Sequence, residues 1–231
     1  MAEPSGLHYG GAVNFVGHAV IARWWSRRPR FLLGAMLPDF AGMIAARPPR
    51  PADPDLKAGM ALHHATDDVF HRTATFRRWS LSATRDLQGA GVRRGAALGV
   101  GHVGVELLLD CALGRDKVAC QDYLAAIGVN AEIEWASADE GARFRRLLEI
   151  LVARGGAVLD PERTAYRLRR TLEHRPRLAF PERDTAVVER WAAKTYPILL
   201  DEVPLLLAEL ERALTRAYGP ISSAAPRPAA E

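Results

Sequence analysis

Residues 92–113 read VRRGAALGVGHVGVELLLDCAL, and this stretch decides the fold. Apolar residues return in it at three- and four-residue intervals, and period-two alternation of β-branched residues is scarce, which is helical patterning. Within the apolar run Val100 to Leu113 stand His102, Glu106 and Asp110. Each follows the last by four residues, so the three stack a turn apart on one helical face. Gly114 stops the helix, since glycine is favoured just past a helix end. The glycines inside it point to close packing against neighbours. A charged carboxylate buried in such a run is costly unless paired or coordinated.

The same periodicity extends outward in both directions. Toward the N-terminus a helix is expected over Gly11 to Trp25, ending before Pro29, and a second from Phe31 to Ala46, interrupted by Pro38. A proline-rich loop, Pro48 to Pro54, follows. Asp55 then caps a long helix through Trp79, and Ser82 opens a short one. Toward the C-terminus, Lys117–Ile127 and Asp139–Arg154 read as helices. Asp160-Pro161-Glu162 supplies a cap and a proline at the first helical position, for a helix to about His174. Pro181 or Glu182 opens the last element, in which Pro197 and Pro204 predict a kink or two consecutive helices. Residues 220–231, rich in Ala, Pro and Ser, read as a disordered tail. The expectation is an all-α, single-domain helical bundle over residues 1–219, without repeats.

The chain has 231 residues and is 48% hydrophobic, enough for one full core. Its two cysteines, Cys111 and Cys120, lack CxxC spacing, so neither a disulfide framework nor a zinc ribbon is indicated and a reducing compartment is the simpler reading. No signal-peptide pattern and no run of about 18 apolar residues occurs, so a cytoplasmic protein without a membrane span is expected. Net charge is +4, and the basic residues are almost all arginine, with lysine only at Lys57, Lys117 and Lys194. Such Arg-, Ala- and Gly-rich composition is what a GC-rich genome produces. Arg27, Arg28 and Arg30 cluster, and Arg77, Arg78, Arg93 and Arg94 flank the His- and Asp-rich stretch, which suits an acidic or phosphorylated partner; nucleic acid is not expected.

Five of the 7 histidines lie between residues 18 and 102: His18, His63, His64, His71 and His102. His63, Asp67 and His71 repeat the four-residue step of the later helix and share one face, with His64 and Asp68 on the adjacent strip. Two such helices facing each other make a bundle-type metal site, with ligands projecting inward. His18 and Asp39 can complete it. Taken singly each residue has a plainer role. His18 can be a hydrogen-bonded core histidine, Asp39 a turn or cap residue after Pro38, His63 with Asp67 a solvated pair, Glu106 the partner of an arginine, and Asp110 a carboxylate facing water. His8 and His174 are assigned to no site.

Several blocks resemble the acyl carrier protein phosphodiesterase family, a helical, metal-dependent group allied to the HD-domain phosphohydrolases. Asn14-Phe15-Val16-Gly17-His18-Ala19 is similar to its opening segment, and Leu33-Gly34-Ala35-Met36-Leu37-Pro38-Asp39-Phe40 to its Leu-Gly-x-x-Leu-x-Asp-Phe stretch. Gly59-Met60-Ala61-Leu62-His63 with Asp67 resembles its Gly-Ile-x-Leu-His-x-x-x-Asp core, and Leu109-Asp110-Cys111-Ala112-Leu113 falls where it has Asp-His-Phe-Leu. The matching blocks span residues 14–113, with a loose echo at Leu172 to Phe180. Glu106 and His71 stand where the family has aspartate, and Cys111 where it has histidine.

The resemblance implies an HD-domain-like fold and a metal-dependent phosphodiesterase or phosphohydrolase, acting on a phosphoester such as the phosphopantetheine linkage of acyl carrier protein. His18, Asp39, His63, Asp67 and Glu106 would hold one or two divalent ions, with His71, His102 and Asp110 as further ligands and His64 and Asp68 as proton carriers. Mixed nitrogen and oxygen ligands suit manganese, iron or zinc. Two alternatives stay open: a non-catalytic helical metal-binding or interaction protein, and a hydrolase like the helical zinc phospholipase C enzymes, which the His102-x-x-x-Glu106 pair resembles.

Overall fold

The computed structural model describes residues 15–155 and 160–219. Among them are nine α-helices and no strand: α1 Phe15–Ala22, α2 Pro29–Met43, α3 Pro54–Phe70, α4 Ala74–Gly89, α5 Arg94–Leu113, α6 Lys117–Ile127, α7 Ala138–Arg154, α8 Thr164–Leu172 and α9 Thr185–Tyr218. The fold is all-α and packs around one hydrophobic core that draws on every helix. His8, the expected helix residues before Phe15 and the expected tail 220–231 lie outside the described residues.

Two helices are buried nearly all round, the pattern of core helices. All of α1 is buried, as is α5 except for a few positions such as Leu98 and His102. By length and mean hydropathy α5 matches a membrane span, but 89% of that window is buried inside the fold. Around α5 pack α1, α4, α8 and α9, while α2 is covered by α1, α3, α6 and α7.

Glycine sets the closest approach of α2 and α3. A Cβ on Gly34 would lie 2.9 Å from Leu56 Cα and closer still to the Leu56 carbonyl oxygen; one on Gly59 would lie 2.7 Å from Ala35 N and 2.9 Å from Gly34 C. The two backbones therefore touch, and Asp39 and His63, one turn beyond, are drawn together.

The structure departs from the sequence reading at several helix ends. Asp53, not Asp55, caps α3: its carboxylate accepts from the amides of Asp55 and Leu56 at 2.8 and 3.2 Å, and Pro54 follows at the first helical position. The expected helix from Asp55 to Trp79 breaks at residues 71–73. There the Thr73 hydroxyl donates to the Phe70 carbonyl (2.8 Å) and accepts from Phe76 N–H (3.3 Å), stopping α3 and capping α4 together. Ser82 lies inside α4. Pro38 does not interrupt α2, and α9 runs unbroken through Pro197 and Pro204 rather than as two helices.

The arginines expected to greet an acidic partner are largely occupied at home. Arg27 pairs with Asp122 (2.8 Å), Arg28 with Asp55 (2.9 Å), Arg30 with Asp53 (2.7 Å) and Arg78 with Glu202 (2.7 Å). Arg93 donates to the carbonyls of Pro176 and Ala179.

Candidate metal centre

Three helices meet at a buried trio: His18 from α1, Asp39 from α2 and His63 from α3. His63 Nε2 lies 3.8 Å from Asp39 Oδ1, and His18 Nε2 lies 3.9 Å from Asp39 Oδ2. The imidazole centroids are 3.9 Å apart. One potential ligand atom from each residue falls within 4.8 Å of the other two. His63 Nδ1 meets the Ala35 carbonyl at 2.9 Å. A carbonyl only accepts, so Nδ1 carries the proton and the Nε2 lone pair is turned toward Asp39.

The trio's electrostatics are unresolved by protein groups alone. Burial, with the charge of His18, pulls the His63 pKa down to about 3, so the ring is neutral. Burial pushes Asp39 up to about 7, against the pull of His18. Burial also opposes charging His18, yet Asp67 and Asp39 hold its pKa above the ordinary value. Asp39 Oδ2 and His18 Nδ1 are buried without a hydrogen-bond partner. A carboxylate with one orphaned oxygen, set between two imidazole nitrogens, is a donor set that a divalent cation satisfies.

A second trio lies on the same line of helix faces: His71 at the end of α3, with His102 and Glu106 on α5. Glu106 Oε1 is 3.1 Å from His71 Nε2 and 3.2 Å from His102 Nε2. The two rings stack at 5.0 Å, and Phe76 stands edge-on to both at 5.2 Å. His71 Nδ1 faces its own helix at the Asp67 carbonyl, 3.1 Å away. Burial would raise the Glu106 pKa, but its bonds from His102 and His71 hold it below the ordinary range; the bond to Glu106 in turn raises His71.

Asp67 stands between the trios. Its Oδ1 lies 3.5 Å from His18 Nε2 and 4.0 Å from His71 Nδ1. Although partial burial opposes it, the charges and bond of His18 and the nearby imidazoles take its pKa down to about 2. The first trio is closed, with His18 and His63 each 4% exposed, whereas the side chains of Asp67, His71 and His102 are 46%, 35% and 47% exposed. One end of the centre is therefore shut and the other faces solvent.

Seven of the residues singled out by sequence, His18, Asp39, His63, Asp67, His71, His102 and Glu106, thus form one connected array. Asp110 does not join it. Its carboxylate accepts from Gly17 N–H at 2.7 Å and Val16 N–H at 3.3 Å, so it serves the first turn of α1 rather than an ion. It does not face water either, being fully buried, and burial pushes it up to about 8. His64 is exposed, its ring edge-on to His63 at 5.3 Å. Asp68, 76% exposed, lies 3.9 Å from Arg72. His174 lies 3.3 Å from Glu173. Sequence reasoning missed the Ala35 carbonyl, the Phe76 wall and the division into two trios. The uninterrupted step His63, Asp67, His71 was the available signal for the last, since it is too long for one ion.

The chain matches no family model, no curated protein and no solved structure.

Proposed function

We propose that this protein is a metal-dependent phosphoester hydrolase whose centre takes two divalent ions, one in each trio, with Asp67 shared between them. The observation that carries the proposal is the pair of His/carboxylate trios joined through one aspartate, closed at one end and open to solvent at the other. A purely structural site is closed on all sides, whereas a catalytic one keeps a position free for water and substrate. Ions bound there supply a water nucleophile of lowered pKa and neutralise charge developing on phosphoryl oxygens.

The chain's own residues have separable tasks in this reading. His63, fixed by Ala35, and the orphaned Asp39 hold the deep ion, with His18 closing the trio. His71 and His102, stacked and sharing Glu106, hold the outer one. Phe76 braces both rings against rotation. His64, beside His63, remains the candidate for carrying a proton.

The resemblance of residues 14–113 makes holo acyl carrier protein the first substrate to test. The grouping of His102 and Glu106 with His71 favours a second reading, a hydrolase like the zinc phospholipase C enzymes. The deciding experiment measures metal content after purification without chelator. Turnover of bis-para-nitrophenyl phosphate, holo acyl carrier protein and phosphatidylcholine is then assayed with added manganese or zinc. Two ions per chain and turnover, both lost in His63→Ala and Asp67→Asn, are expected. A protein that binds no ion and turns over none of the three leaves only a helical scaffold.

A further inference from the structure

Asp110 is a fully buried carboxylate that the proposed chemistry leaves unused. It sits on α5 one turn after Glu106, and it reaches across 93 and 94 residues of sequence to the amides of Gly17 and Val16. These amides belong to the first turn of α1, where N–H groups have no partner within the helix. The residue after Gly17 is His18. One side chain of α5 therefore holds the short helix that delivers His18 to the deep trio, while the preceding turn of α5 delivers Glu106 to the outer trio.

From this we infer that Asp110 is a positioning residue that sets His18, and hence the spacing of the two trios. The inference rests on the two-ion reading above. His18 needs such support more than His63 and His71 do. His63 is oriented by Ala35 and His71 by the Asp67 carbonyl, but His18 Nδ1 has no hydrogen-bond partner. Beyond the contact of its Nε2 with Asp67 at 3.5 Å, the ring is placed by where α1 lies. The far end of α1 is tied separately, through Arg23 to Asp122 at 2.6 Å, so loss of Asp110 frees one end of the helix without releasing it from the bundle.

The test is a cobalt(II) and zinc(II) titration of the full-length metal-free protein, followed by calorimetry and by the visible cobalt spectrum. His18→Ala and His71→Ala serve as references that identify the deep and outer ion. Asp110→Ala is expected to weaken the deep ion about 10- to 100-fold, the usual effect of removing a group that orients a ligand, and to leave the outer ion within about twofold. Asp110→Asn keeps an oxygen for Gly17 but turns an amide toward Val16, so it should lie between wild type and alanine. It also provides the readout if the alanine variant fails to fold. A folded Asp110 variant with an unchanged deep ion, or one weakening both ions equally, overturns the inference. A wild-type protein that binds no cobalt or zinc instead removes the two-ion reading beneath it.

Discussion

Gly59→Ala tests whether helix contact builds the centre. The new Cβ would meet Ala35 N at 2.7 Å and Gly34 C at 2.9 Å, with the Phe31 carbonyl oxygen nearer still, and all three are backbone atoms that cannot rotate away. Comfortable carbon contacts lie at about 3.5–4.0 Å, so α3 must retreat from α2 by about 1 Å. Overpacking of this kind costs about 1–3 kcal/mol, and the gain in helix propensity from Gly to Ala returns about 1 kcal/mol. The expected net loss is about 0–2 kcal/mol, a fall of up to roughly 1 M in the urea midpoint for a chain of this size. The functional effect should be larger. Gly59 and His63 share a face one turn apart, and a 1 Å retreat stretches the 2.9 Å contact of His63 with Ala35 beyond hydrogen-bonding range. Deep-ion affinity should then fall about 10- to 100-fold. Gly89→Ala is the control, because its Cβ would meet nothing within 4 Å, and it should leave stability equal or slightly raised. If Gly59→Ala unfolds at the same urea concentration as Gly89→Ala and binds metal like wild type, close backbone contact does not build the centre.

Other consequences of the geometry are open to measurement. Asp67→Asn should lower the affinity for both ions, unlike His18→Ala or His71→Ala, which should each affect mainly one; equilibrium dialysis at graded zinc concentrations separates these outcomes. On addition of a chelator, the ion held by the half-buried His71 and the exposed His102 should leave before the one enclosed by His18, Asp39 and His63, giving two phases in a stopped-flow chelator assay, and a single phase would contradict the closed-and-open description. Thr73→Ala removes the cap of α4 and should cost about 1 kcal/mol in chemical denaturation. It should also weaken the outer ion, because Thr73 forms the corner on which His71 sits.

The sequence carried the helices and most of the array because both rest on spacing. A four-residue step puts side chains on one face whatever the surroundings, so His63, Asp67 and His71, and likewise His102 and Glu106, were readable before any contact was known. The corner at residues 71–73 was not readable, since it holds neither glycine nor proline and Phe76 and Trp79 continue the apolar period; a single threonine hydroxyl ends one helix and starts the next. Asp110 was misjudged for the opposite reason. It obeys the same four-residue step as Glu106, but the helix meets different neighbours one turn on. At Glu106 they are imidazoles, and at Asp110 they are the free amides of α1. Spacing along a helix cannot distinguish these partners, because they come from a segment more than 90 residues away.

The metal-free centre balances its charge with protons, and this fixes the direction of its pH dependence. Asp39 is pushed up to about 7, and His18 and His71 are raised above 6.5, so near pH 6 all three hold protons that two divalent ions would replace. Ligands bind metal in their deprotonated forms, so ion binding should release protons and tighten as the pH rises from about 6 to 8. The metal-free fold should respond in the opposite sense. A histidine whose folded pKa exceeds its unfolded value contributes stability below about 6.5 that is lost as the pH climbs through the folded value, and Asp39, raised in the folded state, adds a penalty that grows over pH 4 to 7. His63 works the other way below 6.5, since its neutral buried ring must resist protonation, so the clearest window lies above that pH. Calorimetry in buffers of different ionisation enthalpy counts the protons directly. Zinc binding that releases none at pH 6.5, with affinity flat up to pH 8, would mean that the ions occupy some place other than the trio containing Asp39.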